Sequence, residues 1–250
     1  MDCYCICSKV FEKGVYKVNS LIASPAFGVL ISLAAYSIGC KIKERLKFAI
    51  FNPLLIAIII LIAVLSGFNI EYDDYNKGGE IISFFLAPAT IALALPLYKK
   101  FSLFKKNAVP ILAGILCGTV SGIVSIIVSA KLLNLSDELI KSLIPKSITT
   151  PIGMALSEQL GGIPSITVVA IIVTGILGSI IGPFLNKILK INDEVAMGIA
   201  MGNASHAVGT ARAMEIGETE GAMSSLTIAV AGIMTVILAP ALWNFLVRFI

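Results

Sequence analysis

One short segment of the chain, residues 145–152, concentrates side chains that could do chemistry. Its candidates are Pro145, Lys146, Ser147, Thr149, Thr150 and Pro151. The lysine supplies a positive charge, and the hydroxyls can donate hydrogen bonds. Because proline has no backbone N–H, the two prolines predict a broken helix, and a half-helix that starts after a break has free N–H groups that suit an anion. The segment therefore predicts an anion site; the alternative is a kinked helix whose lysine extends to the membrane surface.

A second segment, residues 202–213, consists mostly of small residues and holds the only histidine of the chain. Its polar members are Asn203, Ser205, His206, Thr210 and Arg212. Small side chains allow close packing or a narrow cavity, and the ordinary pKa of histidine makes His206 a candidate proton carrier. A polar pathway and a histidine that only packs both remain open. Arg212 could instead be a surface anchor, before a solvated loop predicted at residues 215–220.

Composition indicates that membrane helices position these two segments. Of 250 residues, 57% are hydrophobic and 14% are charged, whereas a soluble domain carries about 25% charged residues. These values exclude a disordered chain, a disulfide-rich secreted domain and most soluble enzymes. The net charge of +4 gives no reason to expect nucleic acid as a partner. A lysine at the centre of a membrane helix costs about 2.5–3.5 kcal/mol, so Lys146 calls for an explanation.

Eight apolar segments approach the length that crosses a bilayer. They are residues 21–40, 48–68, 81–98, 108–130, 139–156, 163–185, 195–214 and 223–247. The predicted fold is therefore all-α, a polytopic membrane protein with about 7–8 membrane segments, some broken by proline. Pro88 and Thr90 mark a predicted break in the third segment. Residues 88–91 resemble residues 145–148, which suggests an internal repeat or only the usual composition of membrane helices.

The charges between these segments predict an orientation. Lysine and arginine fill the connections at residues 41–47 and 99–106, and residues 71–80 form an acidic connection between them. By the positive-inside rule, both basic connections are expected to face the cytoplasm.

Other kinds of chemistry find little support in the sequence. There is no Gly-x-Ser-x-Gly elbow, no phosphate-binding glycine loop and no histidine near Cys3, Cys5 and Cys7 to complete a metal site. We therefore expect no enzyme, no cofactor and no metal. The three cysteines could be acylated or bind a metal, or they could be reduced thiols in an unstructured leader.

Several motifs together resemble the LrgB/CidB family of bacterial inner-membrane proteins. They are Ser24-Pro25, Asn52-Pro53, residues 86–90 (LAPAT), residues 96–98 (PLY), residues 145–152 (PKSITTPI), residues 161–164 (GGIP), residues 174–178 (TGILG) and residues 202–213 (GNASHAVGTARA). The resemblance covers residues 24 to 242. It implies a single membrane domain over residues 20–250, with residues 1–19 as a leader outside it. The family often has threonine at the position of Asn203.

The resemblance implies two alternative functions. One is a carrier, or the larger subunit of one, for small carboxylates such as pyruvate or glycolate, as in the similar plastid glycolate/glycerate translocator. Lys146 would attract the carboxylate, the neighbouring hydroxyls would donate to it, and His206 would face it. The other is an antiholin-like regulator of murein hydrolase export and autolysis, which acts with a small LrgA/CidA-like membrane protein. Glycine-spaced helices around Gly118 and Gly178 would suit such assembly, or a homo-oligomer.

Overall fold

The computed structural model describes residues 22, 24–46, 51–92 and 94–248 of the chain. The regular structure of these residues is entirely helical, which confirms the predicted all-α fold. The helices are α1 (Pro25–Leu46), α2 (Pro53–Gly67), α3 (Tyr72–Phe84), α4 (Leu86–Ala92), α5 (Ala94–Lys99), α6 (Phe101–Lys106), α7 (Ala108–Leu132), α8 (Asp137–Leu143), α9 (Thr150–Leu160), α10 (Pro164–Ile188), α11 (Glu194–Ile216) and α12 (Glu218–Leu246). The predicted leader and its three cysteines lie outside the described residues.

Four of the described helices are long and apolar enough to cross a bilayer: α1, α7, α10 and α12. The chain is thus a multi-pass membrane protein. The shorter apolar helix α2 has 15 residues and starts where the sequence places Asn52 before a proline. The Asn52 side chain accepts a hydrogen bond from the Leu54 amide, and proline in the first turn loses no helical bond. The predicted number of seven to eight crossing segments is not confirmed.

Packing divides the domain into two compact units, residues 1–90 and residues 91–250. In the first unit, glycines let α1 approach α2 and α3 closely. A methyl group on Gly39 would lie 2.6 Å from the carbonyl oxygen of Pro53, and one on Gly28 would lie 2.9 Å from Cα of Gly78. These contacts are shorter than a side chain tolerates.

The acidic connection predicted at residues 71–80 lies largely in helix α3. Asp73 and Asp74 fall in its first turn, where negative charge complements the helix dipole. Lys77 pairs with Asp74 at 2.7 Å. The charges that suggested a loop instead stabilise a helix.

The predicted third membrane segment, residues 81–98, is divided among α3, α4 and α5. Pro88 is the reason for the first division, because it cannot donate the amide hydrogen that the Phe84 carbonyl would accept. Just before this point, the Phe85 amide donates to the Ile82 carbonyl, three residues earlier, at 3.1 Å. Thr90 lies within α4. Residues 88–91 are thus helical whereas residues 145–148 form a turn, so the suggested repeat has no structural counterpart at these positions.

In the second unit, α7 and α12 run parallel. Near their starts, Ile111 of α7 and Met223 of α12 belong to one hydrophobic cluster. Near their ends, Ile127 of α7 and Trp243 of α12 belong to another. We call the first end the basic end, because it carries the lysines of residues 99–106, and the second the Trp243 end.

Ion pairs connect other elements to these two ends. At the basic end, Lys100 lies 3.6 Å from Glu218 in the first turn of α12. At the Trp243 end, Lys131 of α7 pairs with Asp137 of α8 at 2.8 Å. Helix α8 therefore starts at the Trp243 end.

Helices α8 and α9 form a hairpin, called hairpin 1 (residues 137–163). A methyl group on Gly153 would lie 3.5 Å from the carbonyl oxygen of Pro145, and one on Gly162 would lie 2.8 Å from the amide nitrogen of Ser142. The two arms are therefore antiparallel. After α9 the chain passes Ser142 of α8, and it leaves hairpin 1 towards the Trp243 end, from which it entered.

Helix α11 is folded at His206 into hairpin 2 (residues 194–216). His206 has non-helical backbone angles, φ 42° and ψ −133°. A methyl group on Gly209 would lie 2.5 Å from the carbonyl oxygen of Met201, eight residues earlier, whereas eight residues of straight helix span about 12 Å. Gly198 in the first arm packs against Glu220, which lies four residues after the second arm ends. Both arms of hairpin 2 therefore meet the basic end.

The described part of the second unit thus includes three long helices and two hairpins that enter from opposite ends. Helix α10 joins the hairpins: Thr167 near its start bonds Ser142 of hairpin 1, and Gly182 near its end faces Met201 of hairpin 2. Residues 139–156 and 195–214, which the sequence suggested as spans, therefore turn back instead of crossing. In lipid such backbone needs protein or water around it, and here the hairpins pack against α7, α10 and α12.

Candidate functional site

A cavity of about 680 Å³ lies between α7, the tip of hairpin 1 and the first arm of hairpin 2. Its lining residues are Pro110, Gly114, Gly118, Thr119, Ser121, Gly122, Ile123, Ser125, Ile126, Ile144, Lys146, Ser147, Ile148, Ala196, Ile199, Ala200, Asn203, Ala204 and Thr235. The volume falls within the range of small-molecule sites. Most of these side chains are small, and glycines and serines of α7 keep the space open.

Among the described residues, Lys146 is the one charged residue in this lining. It is half-buried, and its Nζ atom lies 3.2 Å from the Ser147 hydroxyl. Lys146 forms no ion pair with any residue that the structure describes. An ammonium group in a neutral cavity favours an anion as its counter-charge.

The break between α8 and α9 brings Lys146 to the tip of hairpin 1. Pro145 follows the end of α8, and Pro151 lies in the first turn of α9, where proline is tolerated. Thr149 is the N-cap residue of α9 without a side-chain capping bond. Thr149 and Thr150 are half-buried, and neither is among the lining residues. The structure thus brings Lys146 and Ser147 into the cavity but not the two predicted threonines.

Asn203 lines the cavity, but its amide is used for packing. Its Nδ2 donates to the Ile115 carbonyl at 3.0 Å, and its Oδ1 accepts from the Thr119 hydroxyl at 3.3 Å. A methyl group on Gly118 would overlap the Asn203 side chain. Asn203 therefore joins hairpin 2 to α7.

The other polar residues predicted in this segment pack against neighbouring helices. The His206 ring is buried, and its Nε2 lies 2.9 Å from the Ile171 carbonyl oxygen. Because a carbonyl oxygen only accepts, Nε2 carries a proton. The Thr210 hydroxyl lies 2.6 Å from that of Ser224, and Ser205 fits against Gly178. His206, Ser205 and Thr210 are absent from the cavity lining.

Arg212 also lies away from the cavity. Its guanidinium pairs with Glu215 one turn later on the second arm of hairpin 2. The solvated loop predicted at residues 215–220 is instead the junction of α11 and α12. Glu218 and Glu220 lie in the first turn of α12, and Glu220 is 6% exposed. The helix dipole and packing against Gly198 explain this placement.

Two groups of residues were not predicted from the sequence. The first is the α7 wall of the cavity, which includes Ser121 and Ser125; their four-residue spacing was a usable signal. The second is a buried hydroxyl cluster of Ser142, Ser157 and Thr167 at the base of hairpin 1. These three residues are separated along the chain, so no local pattern marks them. Among the described residues, no group of three or more His, Cys, Asp or Glu side chains could hold a metal ion.

Comparison with known proteins leads to the same family as the motifs of the chain. The model of the LrgB-like family matches residues 32–245. Antiholin-like protein LrgB of Bacillus mycoides (strain KBAB4) and that of Bacillus cereus (strain B4264) are each 38% identical over 224 residues, which cover 89% of this chain and 97% of the relative. No solved structure matches the chain. The family match and the length of the shared region show that this chain belongs to the LrgB family.

Proposed function

We propose that the chain is a membrane carrier, or the larger subunit of one, for small carboxylate anions such as pyruvate or glycolate. The observation that supports this most directly is the Lys146 ammonium, which lines the cavity without an acidic partner among the described residues. Burying a charge is costly unless a counter-charge compensates it. A bound carboxylate would be that counter-charge.

The remaining cavity wall favours a small anion with one carboxylate. The described residues of the wall offer a single ammonium group, so a second carboxylate would lack a cationic partner there. The Ser147 hydroxyl lies beside that ammonium and can donate to the same anion. Ser121 and Ser125 already donate to carbonyls of their own helix, and their oxygens can still accept from a hydroxyl group of the substrate.

We further propose that the cavity opens towards the cytoplasm and that the chain lies in the bacterial inner membrane. The lining reaches Pro110 and Ala196, in the first turns of α7 and α11, both at the basic end. The described lysines and arginines towards this end of the second unit are Lys99, Lys100, Lys105, Lys106, Lys187, Lys190 and Arg212, and those towards the Trp243 end are Lys131, Lys141 and Arg248. This bias supports a cytoplasmic basic end.

In this proposal His206 supports the site indirectly. It holds the tip of hairpin 2 against α10, and hairpin 2 supplies one wall of the cavity. A direct contact between His206 and a substrate or a transferred proton would require a conformation in which the Ile171 bond is released.

The test is thermal stabilisation of the purified protein by pyruvate, glycolate, lactate and succinate. A ligand that binds only the folded state at 100 times its Kd stabilises it by about 2.7 kcal/mol. We expect a shift with monocarboxylates that Lys146→Ala abolishes. Lys131→Ala is the matched control, because Lys131 pairs with Asp137 outside the cavity. Uptake of labelled pyruvate into proteoliposomes, with and without an LrgA-like partner, completes the test; absence of both binding and uptake contradicts the proposal.

The second candidate function is antiholin-like regulation of murein hydrolase export together with an LrgA/CidA-type partner. The observation in its favour is the name antiholin-like protein LrgB carried by relatives that match 89% of this chain. The glycines expected to mediate assembly, Gly118 and Gly178, pack against Asn203 and Ser205 of the same chain. The exposed face of α7 around Cys117 is a better candidate for partner contact. If Lys146→Ala leaves autolysis control intact and Cys117→Trp abolishes it, regulation is favoured over transport.

A further inference from the structure

A buried hydroxyl cluster, whose members are not among the cavity-lining residues, joins hairpin 1 to α10. Its members are Ser142 of α8, Ser157 of α9 and Thr167 of α10, each with 0% exposure. The Thr167 hydroxyl is the donor to the Ser142 carbonyl at 2.8 Å and to the Ser157 hydroxyl at 2.7 Å, and the Ile163 carbonyl of its own helix lies farther away, at 3.3 Å. Because a hydroxyl has one hydrogen to give, Thr167 shares it between the two near acceptors, which lie on the two arms of hairpin 1.

The Ser142 side chain extends the same cluster to the start of α10. Its oxygen accepts from the Ile163 amide at 2.7 Å and donates to the Glu138 carbonyl at 2.7 Å. A methyl group on Gly162 would lie 2.9 Å from this oxygen, so the connection into α10 must pass close to it. Two arms, the connection and α10 therefore meet at one point.

The break that places Lys146 creates the acceptor that Thr167 satisfies. In a continuous helix the Ser142 carbonyl would accept from the Lys146 amide, four residues later. That amide instead donates to the Leu143 carbonyl at 3.1 Å. The Ser142 carbonyl is thus left at a buried helix end, where an unsatisfied acceptor is costly. Thr167 supplies the missing donor from another helix.

We infer that Thr167 is a positioning residue for Lys146. By bonding the last full turn of α8, it fixes where that helix stops and hence where the tip of hairpin 1 enters the cavity. Ser157 orients Thr167, and Ser142 anchors the same turn to α10. The expected effect of Thr167 on binding rests on the proposed carboxylate function.

The first arm of the test measures pyruvate affinity by thermal-shift titration of the purified full chain. We expect Thr167→Val, which keeps the shape but removes the hydroxyl, to weaken the apparent affinity about tenfold. Thr167→Ser should restore it to within about twofold of the parent, because the donor is kept. Thr227→Val is the matched control: Thr227 is equally buried, but its hydroxyl donates only to Met223 of its own helix among the described residues.

The second part of the test measures the accessibility of the tip of hairpin 1 directly and needs no ligand. Ser147→Cys, in a background without the native cysteines, is labelled with a maleimide. We expect Thr167→Val to raise the labelling rate at least about threefold, and Thr227→Val to leave it unchanged. If Thr167→Val does not fold, Ser157→Ala removes one partner of Thr167 and should raise the rate in the same direction.

The two arms separate the failure of this inference from that of the proposed function. If the parent protein does not bind pyruvate, the carboxylate proposal loses its support, and labelling still decides whether Thr167 positions the tip. Equal labelling rates for Thr167→Val, Ser157→Ala and Thr227→Val overturn the inference. So does an affinity loss in Thr167→Val that Thr167→Ser does not restore.

Discussion

The Nε2 atom of His206 donates to the carbonyl oxygen of Ile171 across 2.9 Å, and this bond joins the tip of hairpin 2 to the first third of α10. Gly175 makes the approach possible, because a methyl group there would lie 2.7 Å from the His206 ring. The bend of hairpin 2 is thus supported by a side chain from the bend itself.

His206→Ala should lower the free energy of unfolding by about 1–3 kcal/mol, because it removes a buried hydrogen bond and ring packing. His206→Gln retains a donor and should lose less. Thermal denaturation in detergent measures both. Identical melting temperatures for the parent, His206→Gln and His206→Ala would show that the Ile171 bond contributes nothing to stability.

Gly178→Ala should destabilise the fold by about 1–3 kcal/mol, because the new methyl group would overlap the Ser205 hydroxyl. Gly122→Ala, also on a long helix, has open space around it and should be neutral or stabilising by up to about 1 kcal/mol. Both melting temperatures are compared with the parent. The double variant Gly178→Ala with Ser205→Gly should recover stability, and a failure to recover would argue against this contact.

Lys146→Met should raise the melting temperature while it abolishes carboxylate binding. Removing a charge that has no acidic partner among the described residues from membrane depth recovers part of a cost of about 2.5–3.5 kcal/mol. Lys131→Met, by contrast, removes an ion pair with Asp137 and a contact with the Trp243 ring, and should not stabilise. A Lys146→Met protein that is less stable than the parent would indicate an acidic or dipolar partner for this lysine.

Single cysteines should show that the cavity is reached from the basic end. Cysteines at Ala196 and Ala200, which line it, should react with a charged thiol reagent added on the cytoplasmic side. A cysteine at Ile140, in the apolar cluster near the Trp243 end, should not react from either side. Labelling at Ala196 only from the external side would reverse the proposed orientation.

Sequence reasoning predicted the helices more reliably than their paths. Long apolar runs specify α7, α10 and α12, because length and hydropathy suffice for a crossing helix. Residues 139–156 and 195–214 have similar lengths, yet both turn back. Their reversal depends on tertiary contacts such as Gly162 with Ser142 and Gly209 with Met201, which no local pattern contains.

The candidate site shows the same division. Lys146 stands out because its charge and flanking prolines are local features, and it does line the cavity. Asn203 and His206 are three residues apart in one motif, but Asn203 lines the cavity and His206 bonds α10. Composition cannot distinguish them, because the different surroundings of His206 depend on its own non-helical backbone and its contact with Ile171, which no local pattern contains.

Because hairpin 1 does not cross the bilayer, it also changes which face of the membrane the later loops lie on. If residues 139–156 crossed the bilayer, the loops at residues 133–136 and 189–193 would emerge on the same face. With hairpin 1 returning to the Trp243 end, only α10 separates these loops, so epitope tags inserted in them should be exposed on opposite faces. Tags in these two loops therefore report the path of the chain independently of any transported molecule.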